Sequence, residues 1–124
     1  MNIKQKKDVL VVDDSPFVLE MVSRIVQQLG HVASRATDGE KALQIAEHRE
    51  PDVIILDVNM PKMDGITVLK KLRSDKRFAE TPIIMLTSVG DQEVVRRSIQ
   101  AQATAYLLKD DPKQILKRLK EILE

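Results

Sequence analysis

Five short apolar runs, each followed by a stretch whose apolar residues recur every three or four positions, constrain this chain more than any other feature. The runs span 8–12, 32–36, 53–56, 83–86 and 105–108. Val53-Ile54-Ile55-Leu56 is the strongest of them. It is continuous, rich in β-branched residues and too short for a helix, so it reads as a strand buried on both faces. Between the runs, Val18, Met21, Val22, Ile25, Val26 and Leu29 share one helical face, as do Ile66, Leu69 and Leu72. Ala42, Ile45 and Ala46, then Val94, Val95 and Ile99, then Ile115, Leu119, Ile122 and Leu123 keep the same spacing. Start signals agree: Ser15 or Asp14 caps the first helix with Pro16 in its first turn, and Gly30 stops it. Asp38-Gly39, Asp64-Gly65, Asp91 and Asp111-Pro112 open the others.

Strand and helix thus alternate five times, with no repeat or linker between them. That pattern predicts an α/β fold: a doubly wound five-stranded parallel sheet, order 2-1-3-4-5, covered by helices on both faces as a flavodoxin-like (βα)5 three-layer sandwich. The first and third strands are then neighbours, roughly 5 Å apart. Their carboxyl ends carry Asp13, Asp14 and Asp57, at the switch point where such sheets bind ligands. Thr87 ends the fourth run and Lys109 the fifth. Singly, an Asp-Asp pair before a helix is a cap, Thr87-Ser88 a turn and Lys109 a solvated lysine. Together on one rim of one sheet they point to a site.

Composition narrows the functions open to it. The 124 residues suit one compact unit spanning 1–124, and 43% hydrophobic with 31% charged residues is ordinary for a globular protein. Aromatics are 2%, namely Phe17, Phe78 and Tyr106, so stacking platforms for single-stranded nucleic acid are nearly absent. A net charge of +1 gives no global field toward nucleic acid or an anionic membrane. No cysteine is present, which excludes disulfides, thiolate zinc sites and cysteine nucleophiles. No apolar run approaches a membrane span, and the basic segment 1–7 precedes too short a run for a signal peptide. A cytoplasmic protein is the expectation. His31, in a turn after Gly30, is expected to be exposed, and His48 sits at a helix end that suits a partly charged imidazole.

Three carboxylates within a few ångströms raise one another's pKa values, and a hard divalent cation relieves the repulsion. Mg²⁺, with Mn²⁺ as an alternative, takes a few carboxylate oxygens, keeps waters and bridges to phosphate. Asp57 can then be a nucleophile toward a phosphoryl group, with Asp13 and Asp14 able to hold the metal directly or through water and a backbone carbonyl near Asn59 able to complete its shell. Lys109 is a point charge suited to a phosphate oxygen, and Thr87 a hydroxyl donor to another.

These residues match a family. Val11-Val12-Asp13-Asp14-Ser15, then Leu56-Asp57-Val58-Asn59-Met60-Pro61-Lys62-Met63-Asp64-Gly65, then Leu86-Thr87-Ser88 and Tyr106-Leu107-Leu108-Lys109 make the chain resemble the receiver domain of two-component response regulators. The resemblance runs from about Asp8 to the end. The family's strand order is the one given above, so that order and the resemblance are not independent. The resemblance implies that Asp57 accepts a phosphoryl group from a sensor histidine kinase or phosphotransfer protein. It implies Mg²⁺ on Asp13, Asp14, Asp57 and the Asn59 carbonyl, Lys109 on the phosphoryl group, and Thr87 and Tyr106 as switch residues. The face of the fourth helix, fifth strand and fifth helix would then change its preference for an output protein, a C-terminal effector domain or a second copy. No direct nucleic-acid or membrane partner is implied. The competing readings are a docking module that works without phosphorylation and a phosphatase with an aspartate nucleophile. Asn59 stands where such a phosphatase wants a second carboxylate.

The sequence departs from the family twice. Asp110 stands where a proline, usually cis, follows the lysine. A cis bond to a non-proline costs about 2.5–4 kcal/mol, so a trans 109–110 bond is expected. Asp110 and Asp111 would then compete for the Lys109 ammonium. Gln102-Ala103-Thr104 fills a region where the family often has glycine, and a turn closer to helical geometry is expected there.

Overall fold

The structure, a computed structural model, describes residues 5–88 and 92–124. The elements alternate as β1 (Asp8–Val12), α1 (Pro16–Gln28), β2 (Val32–Ala36), α2 (Gly39–Arg49), β3 (Val53–Asp57), α3 (Gly65–Arg73), β4 (Ile83–Thr87), α4 (Gln92–Gln100), β5 (Ala105–Leu108) and α5 (Pro112–Leu123). One sheet of order β2-β1-β3-β4-β5 results, every pairing parallel. β3 and β4 each run one residue beyond the apolar stretch, so Asp57 and Thr87 are the last residues of their strands. A 3-10 turn, Lys76–Phe78, was not legible, because three residues cannot display a period.

Strand alternation sends the side chains to two cores. Leu10, Val12, Ile54, Leu56, Ile83 and Met85 meet Ala42 and Ala46 of α2 and Val68, Leu69 and Leu72 of α3 on one face. Val9, Val11, Val53, Ile55, Ile84 and Leu86 meet Val22 and Val26 of α1 and Ile115 and Leu119 of α5 on the other. Each of the valine, leucine, isoleucine and methionine side chains contributes about 1.5–3 kcal/mol by leaving water. β3 and β4 are buried along their whole length, which explains their unbroken apolar runs.

Side-chain caps fix where the helices begin. Ser15, not Asp14, caps α1: its Oγ accepts the Val18 N–H at 3.3 Å. Asp38, Asp64 and Asp111 accept from Lys41, Thr67 and Gln114 at 2.8, 2.8 and 3.2 Å. Asp91, the expected cap of α4, lies outside the described residues.

Two local expectations are corrected. His31 is buried, because the strand-leading segment before β1 folds over it and the Lys7 N–H donates to its Nδ1 at 3.0 Å. His48 is exposed near the end of α2, its Nδ1 2.9 Å from the Gln44 carbonyl. Gln102 is not helical but left-handed, with φ 71°. Among the described residues every peptide bond is trans, as expected for 109–110.

Candidate functional site

The parallel register sets the carboxyl ends of β1, β3 and β4 side by side. Val12 stands opposite Leu56 and Asp57 opposite Leu86. Asp13, one residue past β1, is tied to β2 by its N–H, which donates to the Ala36 carbonyl at 3.1 Å. Asp13 and Asp57 are both fully buried, whereas Asp14 is exposed at the opening. One carboxylate oxygen from each of the three lies within 4.8 Å of the others.

Backbone amides aim the two buried carboxylates. The Ser15 N–H donates to Asp13 Oδ1 at 2.9 Å, and the Asn59 N–H to Asp57 Oδ1 at 3.1 Å. Lys109 Nζ lies 2.8 Å from Asp57 Oδ1 and 3.2 Å from Asp13 Oδ2. The ammonium therefore bridges the two carboxylates instead of pairing with Asp110 or Asp111, which corrects the expected competition. The reason is physical: Asp111 is committed to capping α5, Asp110 is solvated, and two buried charges in a low-dielectric pit attract a cation more strongly. The Lys109 N–H donates to the Thr87 carbonyl at 2.9 Å, which brings its side chain in from β5.

One oxygen is left over. Asp57 Oδ2 is buried with no hydrogen-bond partner among the described residues, while buried Asp13 Oδ2 has the Lys109 ion pair alone. Burial pushes the Asp57 carboxyl up to about 6; the hydrogen bond from Lys109 opposes this and the Asp13 charge adds to it. Carboxylate repulsion thus contributes, but desolvation leads. Burial works against the Lys109 charge, yet the bond to Asp57 and the fields of Asp57 and Asp13 raise its pKa above the ordinary value. Acceptor-only carboxylate oxygens gathered from three residues are the donor type a hard divalent cation takes.

The remaining candidates spread outward. Thr87 is buried one step beyond Asp57 on the neighbouring strand. Asn59 is exposed and reaches the site through its amide. Tyr106 is 45% exposed and does not join the pit. It lines a groove of about 560 Å³ between α4, β5 and α5, with Ile99, Lys117 and Arg118.

Sequence reasoning passed over Gly65 as a mere turn residue. Its N–H donates to the Val58 carbonyl at 2.8 Å, and a Cβ there would lie 2.1 Å from the Asp57 carbonyl oxygen. The backbone behind Asp57 is therefore packed against α3 at a distance only glycine allows. The Asp64-Gly65 turn pair that opens α3 was the available signal.

Known proteins complete the picture. The chain is 35% identical over 116 residues to the DNA-binding dual master transcriptional regulator RpaA of Synechocystis, covering 93% of this chain and 48% of that protein. It spans about half the length of several curated relatives it matches. Chemotaxis protein CheY4 of Vibrio cholerae superposes with a TM-score of 0.88 at 38% identity, covering 95% of this chain and 99% of the other. The BeF3-activated DrrB receiver domain superposes with a TM-score of 0.85 at 30% identity, covering 96% and 98%. Residues 9–120 match the response regulator receiver domain as a family, and with that match over an acidic, lysine-bridged pit at the expected strand ends, the chain belongs to the response regulator receiver family.

Proposed function

We propose that this receiver takes a phosphoryl group onto Asp57 from a phosphohistidine on a sensor histidine kinase or phosphotransfer protein. The observation that carries this reading is Lys109, held 2.8 Å from Asp57 inside a three-carboxylate cluster. Receiver domains are phosphoacceptors, not turnover enzymes. Asp13, Asp14, Asp57 and the Asn59 carbonyl would hold Mg²⁺, or Mn²⁺ in its place. When bound, that ion neutralises charge on the carboxylates and on the phosphoryl oxygens.

The chain's own residues do the rest. Asp57 Oδ1 is occupied by the Asn59 amide and Lys109, which leaves Oδ2 to attack phosphorus in line. The new O–P bond forms as the P–N bond breaks, and the imidazole leaves. Lys109 passes from the carboxylate to a phosphoryl oxygen, and the Thr87 hydroxyl donates to another. The acyl phosphate carries about −1.5 to −2 charges where one stood before. That change biases two packings of Thr87, Tyr106 and the α4–β5–α5 face, and with them affinity for an output protein, a C-terminal effector domain or a second copy. Residues 1–124 act as one receiver unit in the cytoplasm, with no direct nucleic-acid or membrane contact. Among the described residues no helix is long and apolar enough to cross a membrane.

The docking-module alternative drew on Asp110 diverting Lys109, and Lys109 is not diverted. No observation favours the phosphatase. Incubation with a small acyl phosphate and Mg²⁺ is expected to add one phosphoryl group by intact mass, and none to Asp57→Asn. A parent protein left unlabelled by every donor overturns the reading.

A further inference from the structure

α4 ends in a Schellman turn. The Gln102 N–H donates to the Ile99 carbonyl at 3.0 Å and the Ala103 N–H to the Ser98 carbonyl at 3.0 Å. That motif needs one residue in left-handed backbone, and here it is Gln102, φ 71°. α1 closes with the same two bonds, Gly30 to Gln27 at 2.9 Å and His31 to Val26 at 3.2 Å, but its left-handed residue is a glycine, φ 88°. Glycine takes this conformation freely, whereas a residue with a Cβ is strained in it.

A guanidinium stands where the strained residue needs support. Arg73, the last residue of α3, donates from Nε to the Gln102 carbonyl at 3.0 Å. Its Nη1 donates to the carbonyls of Phe78 at 2.6 Å and Thr81 at 2.8 Å. One planar fork thus joins the end of α3, the segment leading into β4 and the turn leaving α4. Immediately past that turn, Thr104 is locked to the first residue of β4. Its N–H donates to the Ile83 carbonyl at 2.8 Å, and its Oγ1 accepts the Ile83 N–H at 2.9 Å. In α4 the one buried residue among those described is Ser98, in the C-terminal half; Val94 packs against the core only partly buried, and Gln92 and Glu93 at the other end are exposed.

We propose that Arg73 is a positioning residue that pins the C-terminal end of α4 to the corner between α3 and β4, so that the switch face turns about residues 101–104 instead of sliding as a whole. A lysine, with no planar fork, cannot serve three carbonyls in this geometry. The turning part rests on the phosphoacceptor reading; the pinning part does not.

Amide hydrogen exchange on the whole chain tests both. In resting protein, Arg73→Gln is expected to speed exchange at 101–104 by about tenfold or more and to leave the core amides of β3 unchanged. Adding Gln102→Gly is expected to restore most of that protection, because glycine needs no support. After loading with a small acyl phosphate and Mg²⁺, parent protein is expected to change exchange at 92–97 but not at 101–104, and Arg73→Gln to change through both. Unaltered protection at 101–104 in Arg73→Gln overturns the proposal. So does uniform acceleration across the sheet, no rescue by Gln102→Gly, or equal change at both ends of α4 on loading. Should Arg73→Gln not fold, Arg73→Lys decides by the same readouts. A chain that takes up no phosphoryl group defeats the phosphoacceptor reading and with it the turning, while the resting comparison still judges the pin.

Discussion

Asp57 and Gly65 show how much one atom decides at this site. Burial raises the Asp57 carboxyl from the ordinary value of 3.8 to about 6. The folded state therefore keeps this proton where the unfolded state has released it. The contribution to stability is fully present below about pH 4 and is lost as pH rises through about 6. Asp57→Asn, free of the buried charge, is expected to be more stable than the parent at pH 8 by roughly 1–3 kcal/mol and to lose that advantage near pH 4. Urea denaturation without divalent ions checks it. Gly65→Ala would place a methyl 2.1 Å from a backbone oxygen, with no flexible side chain to yield. A loss of roughly 2–4 kcal/mol in the same assay is expected, with slower labelling of Asp57 in whatever remains folded. The carboxylates were legible in the sequence because charge at the end of an apolar strand has to be explained. The Ser15 and Asn59 amides that aim them were not, since every residue has an amide and only the turn selects these two.

At the scale of elements, period and punctuation carried the reading. β3 and β4 were legible because burial on both faces leaves only apolar residues. The caps were legible because Asp or Ser before an apolar periodic stretch satisfies otherwise orphaned amides. Asp111→Ala is expected to cost about 1 kcal/mol and to fray the first turn of α5, seen as lost protection at Gln114 and Ile115. Asp64→Ala is expected to do the same at Thr67, beside the site. What escaped were contacts between segments distant in sequence. His31 is buried by a bond from Lys7, and Gln102 is left-handed beneath a guanidinium from α3. Neither contact follows from the flanking residues, because local propensity describes an isolated segment while these partners lie far along the chain.

For the whole molecule, alternation of strand and helix with right-handed crossovers left few arrangements, the doubly wound order fitted best, and that order brought the acidic strand ends together. The finer assignment of roles came from the family's motif, since three carboxylates and a lysine by themselves suit several reactions. Helices cover both faces of the sheet, but the order β2-β1-β3-β4-β5 stops at two rims with no further strand among the described residues. An open rim offers unpaired amides and carbonyls to any other extended chain. β5 is only four residues long, and β2 carries the exposed Arg35, held by Glu20 at 3.0 Å. A charged side chain on an edge strand is a common device against edge-to-edge growth. Arg35→Val is expected to leave monomer stability within about 0.5 kcal/mol and to raise self-association in light scattering on heating. That outcome would make the charge on β2 a gatekeeper against polymerisation, a duty separate from signalling and performed on the flank remote from β5.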